Sequence, residues 1–264
     1  MEEKKVIAKN IETNYKVFGS PSPEALADQS QGKPMLILHG WPSSSEKWIQ
    51  VAELLADKNI MVVVPDLPGF GKSPEPAEAW NLDRYVDWVL EFCNNVPELN
   101  SGFYLLGHSF GGALAVKFAV KYNQRVEKLF LVSAAAVRKK TTTKKMWGGV
   151  AKIAKVFSFL PGYDLGRKAF YKFIIRKSDY IYQKGVMKES YLKVIADDLS
   201  FYMSFLKVPT FIIWGDKDAS TSLDQAKVIS QKISHSKLIV IPGGTHSLEI
   251  QAPEILAQKI IENL

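Results

Sequence analysis

Phe103-Tyr-Leu-Leu-Gly107-His-Ser109-Phe-Gly111-Gly112 carries a short apolar run straight into Gly-x-Ser-x-Gly, and a helical pattern continues over Ala113–Tyr122. A strand that turns into a helix this abruptly leaves no room for side chains at 107 and 111, so glycine is required there. The serine between them is expected in a strained conformation with its hydroxyl exposed at the end of a sheet. It also opens a helix, where the aligned peptide dipoles favour nearby negative charge.

The same signals recur on both sides of this stretch. Met35–Leu38, Ile60–Val64, Phe103–Leu106, Lys128–Val132, Thr210–Trp214 and Lys237–Ile241 are short, apolar and rich in β-branched residues. None alternates apolar with polar, so each reads as a strand buried on both faces. Val6–Ala8 and Glu12–Phe18 read as an N-terminal hairpin. Helical patterns lie between, near Ser44–Asp57, Leu82–Asn94, Phe110–Tyr122, Ser222–Ile233 and Pro253–Asn263. Strands alternating with helices predict an α/β fold: a mostly parallel sheet flanked by helices. The rhythm breaks after the sixth strand, from about Ala136 to Lys207, where the sequence is helical, lysine-rich and holds 13 of the 30 aromatic residues. An insertion at a strand's carboxyl end sits over the mouth of an open α/β sheet. The expected organisation is therefore a core of residues 1–135 and 208–264 with a helical, basic cap at 136–207.

Composition limits the function. The chain has 264 residues, 47% of them apolar, enough for a large core without staples. One cysteine excludes an internal disulfide, and Cys93, on the apolar face of Val86, Val89 and Leu90, reads as a buried thiol. The net charge of +7 is uneven: residues 136–207 carry 16 Lys and Arg against 5 Asp and Glu, and the rest is mildly acidic. Charge confined to one insert argues against a nucleic-acid-binding protein. With no apolar run near ~18 residues and no apolar leader after Met1, a cytoplasmic protein is expected. No histidine pair has metal-ligand spacing, and Gly69-Phe-Gly71 lacks a third glycine and its βαβ setting, so neither a metal nor a dinucleotide cofactor is expected.

Taken with its surroundings, the serine turn resembles that of the α/β-hydrolase superfamily, and the resemblance covers nearly the whole chain. His39-Gly40-Trp41-Pro42 resembles the family's His-Gly-x-Pro turn, and Asp66-Leu-Pro-Gly-Phe-Gly-Lys-Ser73 its Asp-x-x-Gly-x-Gly-x-Ser loop. Trp214-Gly215-Asp216-Lys217-Asp218 resembles the strand end that carries the acid; Gly244-Thr245-His246, followed by Glu249 and Pro253, resembles the histidine loop. The resemblance implies Ser109 as nucleophile, His246 as base and then acid, and the backbone N–H groups of Trp41 and Phe110 as oxyanion donors. Asp216 and Asp218 compete for the third role; family spacing points to Asp218, leaving Asp216 to order the turn. The stretch departs from the family in continuing Ala219-Ser-Thr-Ser222 where a proline is common. His39 reads as a structural residue of the oxyanion turn, His108 as the elbow's variable residue and His235 as solvated.

A serine nucleophile, where related epoxide hydrolases and haloalkane dehalogenases use aspartate, implies an acyl-enzyme. The expected activity is hydrolysis of carboxylic esters with an apolar moiety and a short to medium acyl chain. The alternatives are a C–C bond hydrolase or perhydrolase-like enzyme, and a non-catalytic ligand-binding relative. In the insert, Met146, Val150, Ile153, Phe157 and Leu160 form one helical stripe. That stripe reads as a cap helix over the site; with Arg138, Lys139, Lys140, Lys144 and Lys145 it is also compatible with weak contact to an anionic membrane surface.

Overall fold

Apolar β-branched runs form the centre of the molecule because every backbone group in them is paired and both faces are covered. In the computed structural model, which describes residues 1–19, 33–138 and 184–264, the strands are β1 (Glu2–Ala8), β2 (Ile11–Phe18), β3 (Met35–Leu38), β4 (Val62–Pro65), β5 (Phe103–His108), β6 (Val126–Val132), β7 (Thr210–Gly215) and β8 (Ser236–Ile241). They form one eight-stranded sheet in the order β1-β2-β4-β3-β5-β6-β7-β8. β2 pairs antiparallel with β1 and with β4, and every pairing from β4 to β8 is parallel. The helices are α1 (Ile49–Ala56), α2 (Leu82–Asn95), α3 (Phe110–Lys121), α4 (Gly185–Ala196), α5 (Leu223–Lys232), α6 (Leu248–Gln251) and α7 (Pro253–Ile261).

The sheet is buried on both sides. Leu36, Leu38, Leu105, Leu129 and Leu131 pack in the core shared with α2 and α3. Their neighbours Met35, Ile37, Leu106, Phe130 and Val132 face the opposite layer, with α1 and α7. β8 departs from expectation: it ends the sheet, and Val240 is 41% exposed. A strand with one neighbour and one open edge need not be covered, and its Lys237 reaches Asn263 at 3.0 Å instead. The pattern near Ser44–Asp57 also divides, into a 3₁₀ turn, Ser45–Trp48, and α1. Cys93 is fully buried in α2, where burial pushes its thiol up to about 12. No helix among the described residues is long and apolar enough to cross a membrane.

The insert between β6 and β7 contributes α4 to the described structure, and the Met146–Leu160 stripe and Lys139–Lys145 lie outside the described residues. α4 docks on the loop after β4: Ser190 Oγ accepts the Trp80 N–H at 2.9 Å, and Lys193 donates to the Ala79 carbonyl at 2.8 Å.

The junction of β5 and α3 is closely packed. A Cβ at Gly107 would lie 2.3 Å from the Gly111 carbonyl oxygen, and one at Gly111 only 2.0 Å from that of Leu38. Both obstacles are backbone and cannot rotate away. Gly111→Ala is therefore expected to cost ~2–3 kcal/mol or more by overpacking, read as a lower urea midpoint at unchanged slope; a midpoint equal to wild type would contradict this account of the turn.

Candidate active site

Ser109 caps the start of α3 with φ 51° and ψ −113°, a region that side chains other than glycine rarely adopt. The strain is held by its neighbours: the Ser109 N–H donates to the Val132 carbonyl at 3.1 Å, and its own carbonyl accepts from Gly112, Ala113 and Ala135. The side chain is thereby fixed at the carboxyl end of the sheet. The loops after β7 and β8 end at the same place. His246 Nε2 lies 3.1 Å from Ser109 Oγ, and His246 Nδ1 lies 2.9 Å from Asp218 Oδ2. Asp218 is acceptor-only when ionised, so Nδ1 carries the ring hydrogen and Nε2 accepts the serine proton.

Asp218 is buried and fully subscribed. The Ser220 and Thr221 N–H groups donate to Oδ1 at 2.8 Å each, and the Thr221 hydroxyl lies 2.8 Å from Oδ2. Burial raises its carboxyl, but the His246 hydrogen bond and charge and the Thr221 donors outweigh that and hold it below the usual range. Asp216 is exposed; its carboxylate accepts the Gly243 N–H at 2.7 Å and so ties the two loops together without reaching the imidazole.

Trp41 comes to the serine through the turn after β3. The fit at Gly40 is close: a Cβ there would meet Ser109 Cβ at 3.2 Å and His108 Nδ1 at 2.9 Å. Among the described residues, neither the Trp41 nor the Phe110 backbone N–H has a protein acceptor. His39 holds this turn to the next loop, its Nδ1–H donating to the Gly40 carbonyl at 2.8 Å and its Nε2 accepting the Leu67 N–H at 3.0 Å. Burial lowers its imidazole to about 4, so it stays neutral in that role. Asp66 supports the same region, accepting from the Ser45 and Lys72 N–H groups and from Asn14. The wall beside Ser109 is aromatic: Trp41 meets Phe110 at 5.2 Å, Phe70 at 4.7 Å and Tyr191 of α4 at 5.5 Å between ring centroids.

Two contributors, Thr221 and Gln251, were not singled out from the sequence, and a third, His108, reads there only as the elbow's variable residue. Thr221 Oγ1 sits 3.2 Å from His246 Nδ1 as well as touching Asp218, and it occupies the Ala219–Ser222 stretch whose departure from the family is visible in the sequence. Gln251 straps the histidine loop, accepting from the Thr245 N–H and hydroxyl and donating to the Gly243 carbonyl. His108 Nε2 lies 2.9 Å from the His246 carbonyl. Among the described residues no group of three or more His, Cys, Asp or Glu is placed to hold a metal ion.

Comparison with known proteins gives a consistent picture. The family model described as alpha/beta hydrolase fold matches residues 33–154. Lipase 1 of Psychrobacter immobilis is 25% identical over 84% of this chain and 73% of its own length. The AB hydrolase superfamily protein YisY of Bacillus subtilis (strain 168) is 26% identical over 83% of this chain and 87% of its own. A thermophilic esterase from Thermogutta terrifontis superposes with a TM-score of 0.72 at 25% identity, covering 99% of this chain and 97% of that one.

A stability consequence follows from Asp218. Its folded carboxyl titrates below the unfolded value, near 3.9, so it stabilises the fold above that value. The contribution disappears as pH falls through the lower folded value. Between about pH 5 and about pH 2 the melting temperature of wild type is expected to fall more steeply than that of Asp218→Asn; parallel curves in a thermal melt series would contradict it.

Proposed function

The chain belongs to the α/β-hydrolase superfamily, and from that premise we propose that it is a serine hydrolase that cleaves carboxylic esters through an acyl-enzyme intermediate. The observation that carries this reading is the continuous line from Ser109 Oγ through His246 to Asp218, with links of 3.1 and 2.9 Å. A serine hydroxyl is a weak nucleophile until a base takes its proton, and this line supplies the base and orients it. The names lipase and esterase carried by the relatives support ester chemistry, and the aromatic wall of Trp41, Phe70, Phe110 and Tyr191 favours an apolar acyl or alcohol moiety.

Ser109 Oγ attacks the ester carbonyl carbon as its proton moves to His246 Nε2. The carbonyl π electrons move to the oxygen, and the oxyanion is received by the N–H groups of Trp41 and Phe110, each worth on the order of 10²–10³ in rate. Asp218 stabilises the imidazolium and keeps the imidazole in the productive tautomer. The carbon–oxygen bond to the alcohol then breaks, and Nε2–H protonates the departing alkoxide. Water, deprotonated by the same nitrogen, attacks the acyl carbon, and Ser109 leaves with its proton restored.

With p-nitrophenyl acetate, Ser109→Ala and His246→Ala are each expected to lower kcat by ~10⁴-fold or more while the circular dichroism spectrum and melting temperature persist. Asp218→Asn is expected to lose far more activity than Asp216→Asn, because an amide favours the wrong imidazole tautomer. Residual activity of Ser109→Ala within about tenfold of wild type would reject Ser109 as nucleophile. Turnover of vinylogous diketones with esters untouched would move the same three residues to C–C bond hydrolysis.

A further inference from the structure

Two buried titratable side chains behind His246 take no part in the proton path. His108, the residue before Ser109, is buried, and its ring centroid lies 5.0 Å from that of His246. The His246 carbonyl can only accept, so the 2.9 Å contact places a hydrogen on His108 Nε2. Glu249, on α6, is 3% exposed. Its Oε2 has no hydrogen-bond partner, and it lies 3.8 Å from the same His108 Nε2, too far for a hydrogen bond but within charge range. Among the described residues the carboxyl's only donor is its own backbone N–H, and a buried carboxylate oxygen left without a donor destabilises the fold where an apolar side chain of similar volume would serve packing better. Its presence there, at that cost, points to a role other than packing.

We propose that Glu249 is a positioning residue for His246: its buried carboxylate, acting through the His108 N–H pinned to the His246 carbonyl, holds the histidine loop against Ser109 and stabilises the positive charge the imidazole acquires. The inference rests on the reading of His246 as the base. The other charged groups around Glu249 are accounted for. From the 3₁₀ turn before α1, Glu46 is paired with Lys16 at 2.8 Å, leaving Lys47 to act on Glu249. From α7, Glu254 is bonded to Gln50 at 2.8 Å and Lys259 to Glu262 at 2.8 Å. His108 from β5 is held neutral, burial lowering it to about 3. Asp218 lies on the Nδ1 side of His246 and already neutralises that edge. Burial raises Glu249 above the usual carboxylate range, and the charges of His246 and Lys47 act against that rise.

The test is the titration of the His246 C2–H proton resonance in the full-length protein, identified by its loss in His246→Asn, which needs no substrate. Glu249→Gln keeps the shape and removes the charge; the His246 midpoint is expected to fall by about 0.5–1 pH unit. Glu249→Asp, which retains a carboxylate, is expected to recover most of that shift. The acid limb of kcat/KM should move down with the midpoint while KM stays constant. A folded Glu249→Gln protein whose His246 midpoint equals that of wild type would overturn the proposal. Should Glu249→Gln fail to fold, the wild type decides: a His246 titration step shared with the Glu249 side-chain carbonyl ¹³C signal supports coupling, and independent single steps overturn it. A shifted midpoint in a protein inactive on every ester would instead reject ester hydrolysis and leave the role of Glu249 standing.

Discussion

The packing of α3 against the end of β3, with Gly111 where any Cβ would meet the Leu38 carbonyl oxygen at 2.0 Å, forces the chain to leave β5 in a turn that ordinary backbone geometry does not allow. The cost appears at Ser109, at φ 51° and ψ −113°, and amounts to about 1–3 kcal/mol for a strained residue. The sheet and the helices on both its faces over-determine that conformation, because relaxing it would separate α3 from a close-packed core. The serine hydroxyl is therefore fixed before any ligand arrives.

Everything else at the site is brought to that fixed point from far along the chain. His246 is 137 residues from Ser109, and Asp218 lies between them, 28 residues before His246. A parallel sheet makes such a meeting economical: β3, β5, β7 and β8 run in the same direction, so the loops after their carboxyl ends gather at one edge. There Trp41 follows β3, Ser109 follows β5, Asp218 follows β7 and His246 follows β8. Burial of Asp218 and partial burial of His246, 25% exposed, strengthen the electrostatic coupling between them relative to water.

Much of this was legible in the sequence, for physical reasons. Strands buried on both faces leave uninterrupted apolar runs, so β3 and β7 start where the sequence places them; β8 forms where expected but is not covered on both faces, Val240 being exposed and Ile241 alone among its apolar residues buried at the sheet's edge. The glycines at 107 and 111 announced the turn because no other residue fits. The separation of Asp218 from Asp216 rests on the resemblance to the family's spacing, and of the two only Asp218 is bonded to the imidazole. Long-range partners were illegible. Nothing local shows that Thr221 touches both Asp218 and His246, that Gln251 straps the histidine loop, or that His108 and Glu249 meet behind His246 across 141 positions. Those contacts exist only once the sheet has assembled. The tip of the histidine loop and the turn after β3 were recognisable; the side chains that hold them were not.

The central claim is that one strained serine, aligned with His246 and Asp218, forms a covalent acyl-enzyme. Rapid acid quench of the protein with excess p-nitrophenyl acetate, followed by peptide mass spectrometry, tests it directly. The account predicts a single acetyl adduct on the peptide containing Ser109, and none in the His246→Ala protein on the same timescale. Ester turnover with no adduct on Ser109, or an adduct on a different nucleophile that tracks turnover, would contradict it.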